Sequence, residues 1–342
     1  MRPHEHIRER AGAWLCVFTI FSDTLQRVPA MRTETASRAA PGQKEGRFRI
    51  AGQRRWRTTI DAYILVAPAL IVFSIFVVYP LINTVQLSFY QYGLTDPDVR
   101  FVNFDNYIRL FQDAIFWRAL RNNGIILIFS VVIQVGIGVV LAAVLSRGIR
   151  WGKTFFRTLH FAPVVMSAVA VGVLWQLIYD PGIGIINFLL RTVGVRPPVQ
   201  GWLGDPNIVM FSIIAAACWQ YTGYVMTIVL AGMESVPAEL YEASGLDGAN
   251  EVQNFFYITL PMSRNVILAA TLITMIGAVK VFDIVYVLTR GGPANASQVL
   301  GTYIYYNAFT INQAGYASAI AVVLLVIAVI FGVLQLRFTR QV

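Results

Sequence analysis

The chain has 342 residues, of which 56% are hydrophobic and only 13% charged, with a mean hydropathy of +0.60 and a net charge of +9. A soluble domain carries about 25% charged residues, so this composition excludes a string of water-soluble domains. The positive excess is not a nucleic-acid patch, because 12 of the 27 Lys and Arg fall between Arg2 and Arg57, before the first long apolar run. Cys16 and Cys218 are too isolated for a disulfide scaffold, and His4, His6 and His160 offer no paired ligands, so no metal site is expected. The chain reads as an all-α integral membrane protein.

In chain order, residues 1–60 read as a basic, disordered cytoplasmic arm, and 61–342 as one membrane domain. Within the arm, 11–21 is apolar after a basic stretch, like a short signal-peptide core. Three readings stand: a cleaved signal, a surface-seeking patch on the arm, or a true start at Met31. The first lacks a small-residue cleavage site before Asp23 and Arg27, and the start at Met31 is preferred.

Six apolar runs follow, at about 63–89, 124–145, 161–179, 208–233, 266–288 and 317–336. Each has about the 20 residues a spanning helix needs, and none shows the alternation of a membrane β-barrel. Pro68 and Pro80 predict a kink in the first run. Excess Lys and Arg marks the cytoplasmic side. The arm to Asp61 has twelve basic residues against six acidic, loop 146–160 has four cations and no acid, and the tail adds Arg337 and Arg340. Loops 91–121 and 180–207 are balanced. Six spans with both termini cytoplasmic follow. The G-I-R-W-G-K-T stretch from Gly148 has one residue too few for a P-loop and lies between spans, so it holds no nucleotide. Gly136 and Gly138 in the second run read as packing residues.

The fourth run is interrupted by Trp219, Gln220, Tyr221, Thr222 and Tyr224. A cluster of aromatic rings and polar tips near mid-membrane makes Trp219, Gln220, Tyr221 and Tyr224 candidates for a substrate path; interhelical packing is the alternative. Trp175 and Gln176 are weaker candidates, and Trp202 and Tyr303–Tyr306 suit an aromatic belt. Lys280 and Asp283 fall within the fifth run, where ionisable groups face a cavity or one another. They are either an i,i+3 ion pair or a polar wall of the path.

Loop 234–265 breaks the charge rule, holding five acids against Arg264 alone. It is too long for a simple connection. Pro237 and Glu239 suit a helix start, a short helix is expected to about Leu246, and a second carries Val252, Phe255 and Phe256 until Pro261 ends it. Ala243, Ser244, Gly245 and Gly248 let a partner approach closely. A lipid-surface helix is rich in Lys and Arg, so this acidic one points to a protein.

These residues carry a resemblance. Glu242-Ala243-Ser244, Gly248 and Ile258-x-Leu260-Pro261 resemble the E-A-A-x3-G-x9-I-x-L-P loop of ATP-binding-cassette importer permeases, departing only at Ser244. The F-D-I-V-Y-V-L-T-R-G-G-P run from Phe282, then Tyr303, Tyr306, Ala308-Phe309 and Gly315-Tyr316, resembles carbohydrate permeases of the maltose and glycerol-phosphate type, on the MalF-like side of the pair. The resemblance covers about residues 60–342. It implies the type I importer fold, with a coupling loop seated on an ATPase through Glu242, Ala243, Ser244, Gly245, Asp247, Gly248, Ala249, Ile258, Leu260 and Pro261. It further implies a second, homologous permease subunit, two ATPase chains that hold the ATP and Mg, and an extracytoplasmic solute-binding protein. This chain would be a non-catalytic subunit without cofactor, in a bacterial or archaeal cell membrane, passing a sugar. The rival expectation is a secondary transporter driven by an ion gradient, which predicts internal repeats and more intramembrane carboxylates than Asp283.

Overall fold

The computed structural model describes residues 52–95, 98–148 and 152–340. The apolar stretch 11–21, Met31 and most of the basic arm lie outside the described residues, as do 149–151 of the loop with the P-loop-like spacing. The chain divides into two units, Met1–Val66 and Ala67–Val342. Among the described residues, four helices are long and apolar enough to cross a membrane: Tyr63–Leu87, Ala114–Arg147, Val209–Glu234 and Ala314–Val333. Two bent helix pairs bring the number to six if each is one span. A two-stranded antiparallel ribbon, β1 (Tyr90–Gln91) with β2 (Arg100–Phe101), follows the first span.

The bends have local causes. In the first span a π-helical turn, Ser74–Val78, directly precedes Tyr79 and Pro80. The Tyr79 N–H reaches back five residues to the Ser74 carbonyl. A regular turn would drive the Pro80 ring against the carbonyl four residues earlier, and the wider turn relieves that. The kink expected from Pro80 is therefore a π-helical widening.

The third run is not a straight helix. Lys153–Val165 and Ala168–Ile178 meet at 101°, because Met166 and Ser167 are extended and Ser167 starts a new helix by accepting the Ala170 N–H at 3.1 Å. The fifth run is also broken, contrary to the continuous 266–288 expected. Arg264–Val279 ends at Lys280, and a separate helix begins at Asp283.

The fourth span, Val209–Glu234, is the axis of the core. Two thirds of its apolar window (67%) is buried, against 28% for the second span and 22% for the sixth. Towards one end Ile213 and Ala217 pack with Ile126, Val171 and Val285; towards the other Val225 and Val229 pack with Ala142 and Ala270. At 26 residues and 1.5 Å each it is about 39 Å long, and it separates the two regions described next.

Candidate functional site

Asn123 on the second span explains where the fifth helix stops. Its Nδ2 donates to the carbonyls of Ala278 (3.4 Å) and Val279 (3.1 Å), and its Oδ1 accepts the Leu300 N–H at 2.8 Å. The neighbouring Asn122 donates to the carbonyls of Ala296 and Gln298, both at 2.8 Å. Irregular backbone at membrane depth survives only when protein satisfies it or it lines a cavity. Here both conditions hold.

The break at Lys280–Phe282 lines a cleft of about 380 Å³ between the second, fourth and fifth spans. Its polar surface includes Ser130, Gln134, Tyr221, Tyr224, Lys280 and Asp283. Lys280 and Asp283 are not the ion pair that their spacing allowed: the pairs among the described residues are Arg147–Glu251 and Lys153–Glu234. Lys280 instead follows the negative end of Arg264–Val279, and Asp283 opens the next helix at its positive end. The break therefore stabilises each charge separately and leaves both open to the cleft.

The remaining path candidates separate by helical period. Tyr221 and Tyr224, three apart, face the cleft. Gln220 does not; it is buried and donates to the Met166 carbonyl (3.4 Å) at the bend of the third span, while its Oε1 has no protein partner. Trp219 lies in a different groove with Phe211, His160 and Thr222, and meets Trp175 at 5.9 Å between ring centroids. Gln176 donates to the Val287 carbonyl at 2.8 Å, tying the third span to the helix after the break. Phe282, at the cleft, stacks on Tyr286 at 5.3 Å, and Tyr286 meets Tyr305 at 4.8 Å. The Asn pair escaped sequence reasoning because the apolar run was started at Gly124. Asn123, Ser130 and Gln134 at intervals of seven and four already marked one polar face.

The second region is the loop after the fourth span. Helix Ala238–Leu246 follows Pro237 and has no buried residue. Gly248, at φ +78°, ends it, with the Ala249 N–H reaching the Ser244 carbonyl at 2.9 Å. Asn250 and Gln253 then form a reciprocal cap, 2.9 and 2.8 Å, that starts Glu251–Asn254. Ser244, the one departure from the expected motif, donates to Asn254 Oδ1 at 2.7 Å and joins the two helices.

Pro261 does not end the second helix. A π-helical turn, Phe255–Thr259, brings the Leu260 N–H to the Phe255 carbonyl, and the chain stays helical to Met262. It is the device seen before Pro80. Glu242, Ala243, Gly245, Asp247 and Gly248 are exposed, as is Leu246, whereas Ile258 and Leu260 lie partly covered at the root of the loop. The Arg147 guanidinium sits 3.1 Å from the Tyr241 ring centroid and 3.9 Å from Glu251, and Lys153 pairs closely with Glu234. The acidic loop is thus held by the basic loop 146–160 of its own chain, leaving Glu239, Glu242 and Asp247 facing outward.

Comparison with known proteins identifies the family and the fold. Residues 134–342 match the family described as "Binding-protein-dependent transport system inner membrane component". The chain is 41% identical over 282 residues, 82% of its length and 96% of the relative's, to the probable ABC transporter permease protein YurN of Bacillus subtilis. It is 33% identical over 286 residues, 82% and 95% of the two chains, to the lactose transport system permease protein LacF of Rhizobium radiobacter. Among solved structures it matches a bacterial ABC transporter involved in import of the acidic polysaccharide alginate. The TM-score is 0.74 and the identity 25%, over 84% of this chain and 99% of the other.

Proposed function

The chain belongs to the family of binding-protein-dependent transport system inner membrane components, and on that premise we propose how it works as the permease of an ATP-driven sugar importer. It forms half of a translocation path, completed by a second, homologous permease subunit. Sugar as cargo follows from relatives named for lactose and for trehalose and maltose. An extracytoplasmic binding protein delivers the sugar, and two ATPase chains on the cytoplasmic side hold ATP and Mg. The chain itself performs no chemistry, and both its termini are cytoplasmic.

The observation that carries this reading is the broken fifth helix, with Lys280 and Asp283 unpaired on the wall of the cleft. Two separate charges beside Tyr221 and Tyr224 can donate to and accept from sugar hydroxyls while a ring covers an apolar face. The same fifth helix begins at Arg264, at the end of the coupling loop. Movement of Glu242, Ala243, Ser244, Gly245, Asp247, Gly248 and Ala249 on the ATPase would pass through Ile258, Leu260 and Pro261 into this helix and open or close its broken end.

Reconstitution with the second permease, the ATPase and the binding protein tests the assignment. ATP hydrolysis should rise when the binding protein carries sugar, and Lys280→Ala with Asp283→Asn should reduce uptake by about tenfold, the effect of losing about 1.4 kcal/mol of interaction. Uptake by this chain alone, coupled to a proton or sodium gradient, would overturn it.

A further inference from the structure

Helix Ile185–Thr192, in the loop between the third and fourth spans, has its amphipathic character inverted for a water-facing element. Ile185, Phe188 and Leu189 fall at i, i+3 and i+4 and are 57%, 64% and 55% exposed; Val193, four residues further, is 73% exposed. A helix on a soluble surface presents polar groups there. The side turned to the protein is instead polar at its centre. Asn187, 2% exposed, donates from Nδ2 to the Asp180 carbonyl at 3.0 Å and accepts the Trp202 indole N–H on Oδ1 at 2.8 Å. Arg191, the helix's one charge, reaches the Pro181 carbonyl at 3.3 Å.

We propose that Ile185–Thr192 lies in the membrane–water interface, its Ile185, Phe188, Leu189 and Val193 side chains seated in the acyl boundary of the leaflet opposite the coupling loop. Its depth follows from its tether. The Trp202 ring that bonds Asn187 continues into a ladder, 5.9 Å to Tyr179 and 5.0 Å from there to Trp175, and such aromatic groups settle at the headgroup level. The helix starts seven residues after Ile178, the last residue of the third span's second helix, so the chain has little length in which to leave the bilayer surface. With Arg191 as its one cation, the helix is held at the interface by its buried apolar area and its tether, not by attraction to anionic headgroups.

A delivery protein is a poorer cover, because it leaves after each cycle and would return this face to water. Lipid covers it continuously. The helix would then brace the third span's bend against the bilayer surface while the cleft opens and closes.

The test uses the whole transporter in phosphatidylethanolamine–phosphatidylglycerol vesicles, with Phe188→Cys or Leu189→Cys carrying a bimane label; Cys218 is buried, and Cys16 is replaced by Ser. Acyl-chain-brominated lipid should quench both labels by about twofold, while a water-soluble quencher should not. Nitroxide scanning over 184–193 should give oxygen accessibility peaking at 185, 188, 189 and 193, out of phase with a water-soluble nickel chelate. Quenching by the aqueous agent at 188 and 189 would overturn the proposal. So would protection from both agents, which means a second permease covers the face, or protection that appears only with the binding protein, which means that protein does.

Discussion

Asp113 is a residue whose role depends on its contacts. It precedes the second span, caps it by accepting the Ile115 N–H at 2.8 Å, and accepts the hydroxyls of Tyr316 (2.6 Å) and Tyr303. Burial alone would push the carboxyl up. The hydrogen bonds from Tyr303, Tyr316 and the backbone N–H groups of Ile115 and Phe116 outweigh that and hold it below the usual carboxylate range. A carboxyl lowered by folding contributes stability that is complete above its unfolded value of about 3.9 and is lost as pH falls through the folded value. Detergent-unfolding midpoints should therefore show the wild type more stable than Asp113→Asn at neutral pH, with the difference shrinking once pH falls below about 4 and gone only below the lower folded value. A gap that persisted into acid would show that packing, not the ionised carboxylate, carries the effect. Gly223 acts by absence: a Cβ there would lie 1.8 Å from the His160 carbonyl, so only glycine lets the bent third span reach the fourth.

At the scale of elements, the two breaks and the π turns before Pro80 and Pro261, two of the five π turns among the described residues, depart from straight helices. Each is paired with a side chain or backbone group that satisfies the freed polar atoms: Asn123 at the fifth-span break, Gln220 and Ser167 at the third-span bend. Leaving a buried carbonyl or N–H unpaired costs about 1–3 kcal/mol. Asn123→Ala removes one side chain that serves both sides of the break, so destabilisation of about that size is expected, together with increased labelling of a cysteine at Val281 by aqueous maleimide. Unchanged stability and labelling would show that the break holds itself.

For the whole molecule, the fourth span is a buried strut about 39 Å long, with loop 234–265 at one end and the aromatic ladder at the other. The cleft lies beside it, walled by a helix whose first turn adjoins the loop. Gly248 is exposed, at φ +78°, with open space where a Cβ would sit. Gly248→Glu should therefore leave this chain folded, costing only the strain of a left-handed backbone, about 1–2 kcal/mol. It should nevertheless abolish sugar-stimulated ATP hydrolysis if the ATPase seats on this loop as proposed, because the new side chain projects from the loop's exposed turn. Normal stimulation would place the ATPase elsewhere.

Amino-acid order alone determined that the chain is a helical membrane protein, roughly where its spans run, and that loop 234–265 is a motif rather than a connection. Those properties depend on composition and local spacing, which apolar runs, Gly248 and the Glu242-Ala243-Ser244 pattern display directly. Tertiary structure decided which polar residues share a site. Trp219, Gln220 and Tyr221 are consecutive yet face a groove, a helix bend and the cleft, because 100° of rotation per residue sends neighbours to different surfaces. Lys280 and Asp283 have the spacing of an ion pair, but the helix breaks between them, and that break depends on Asn123, 157 positions before Lys280. Of the basic residues behind the +9 charge, Arg147 and Lys153 pair with Glu251 and Glu234 and hold the acidic loop in place. Such contacts join residues far apart in the chain, and no local pattern encodes the distance between them.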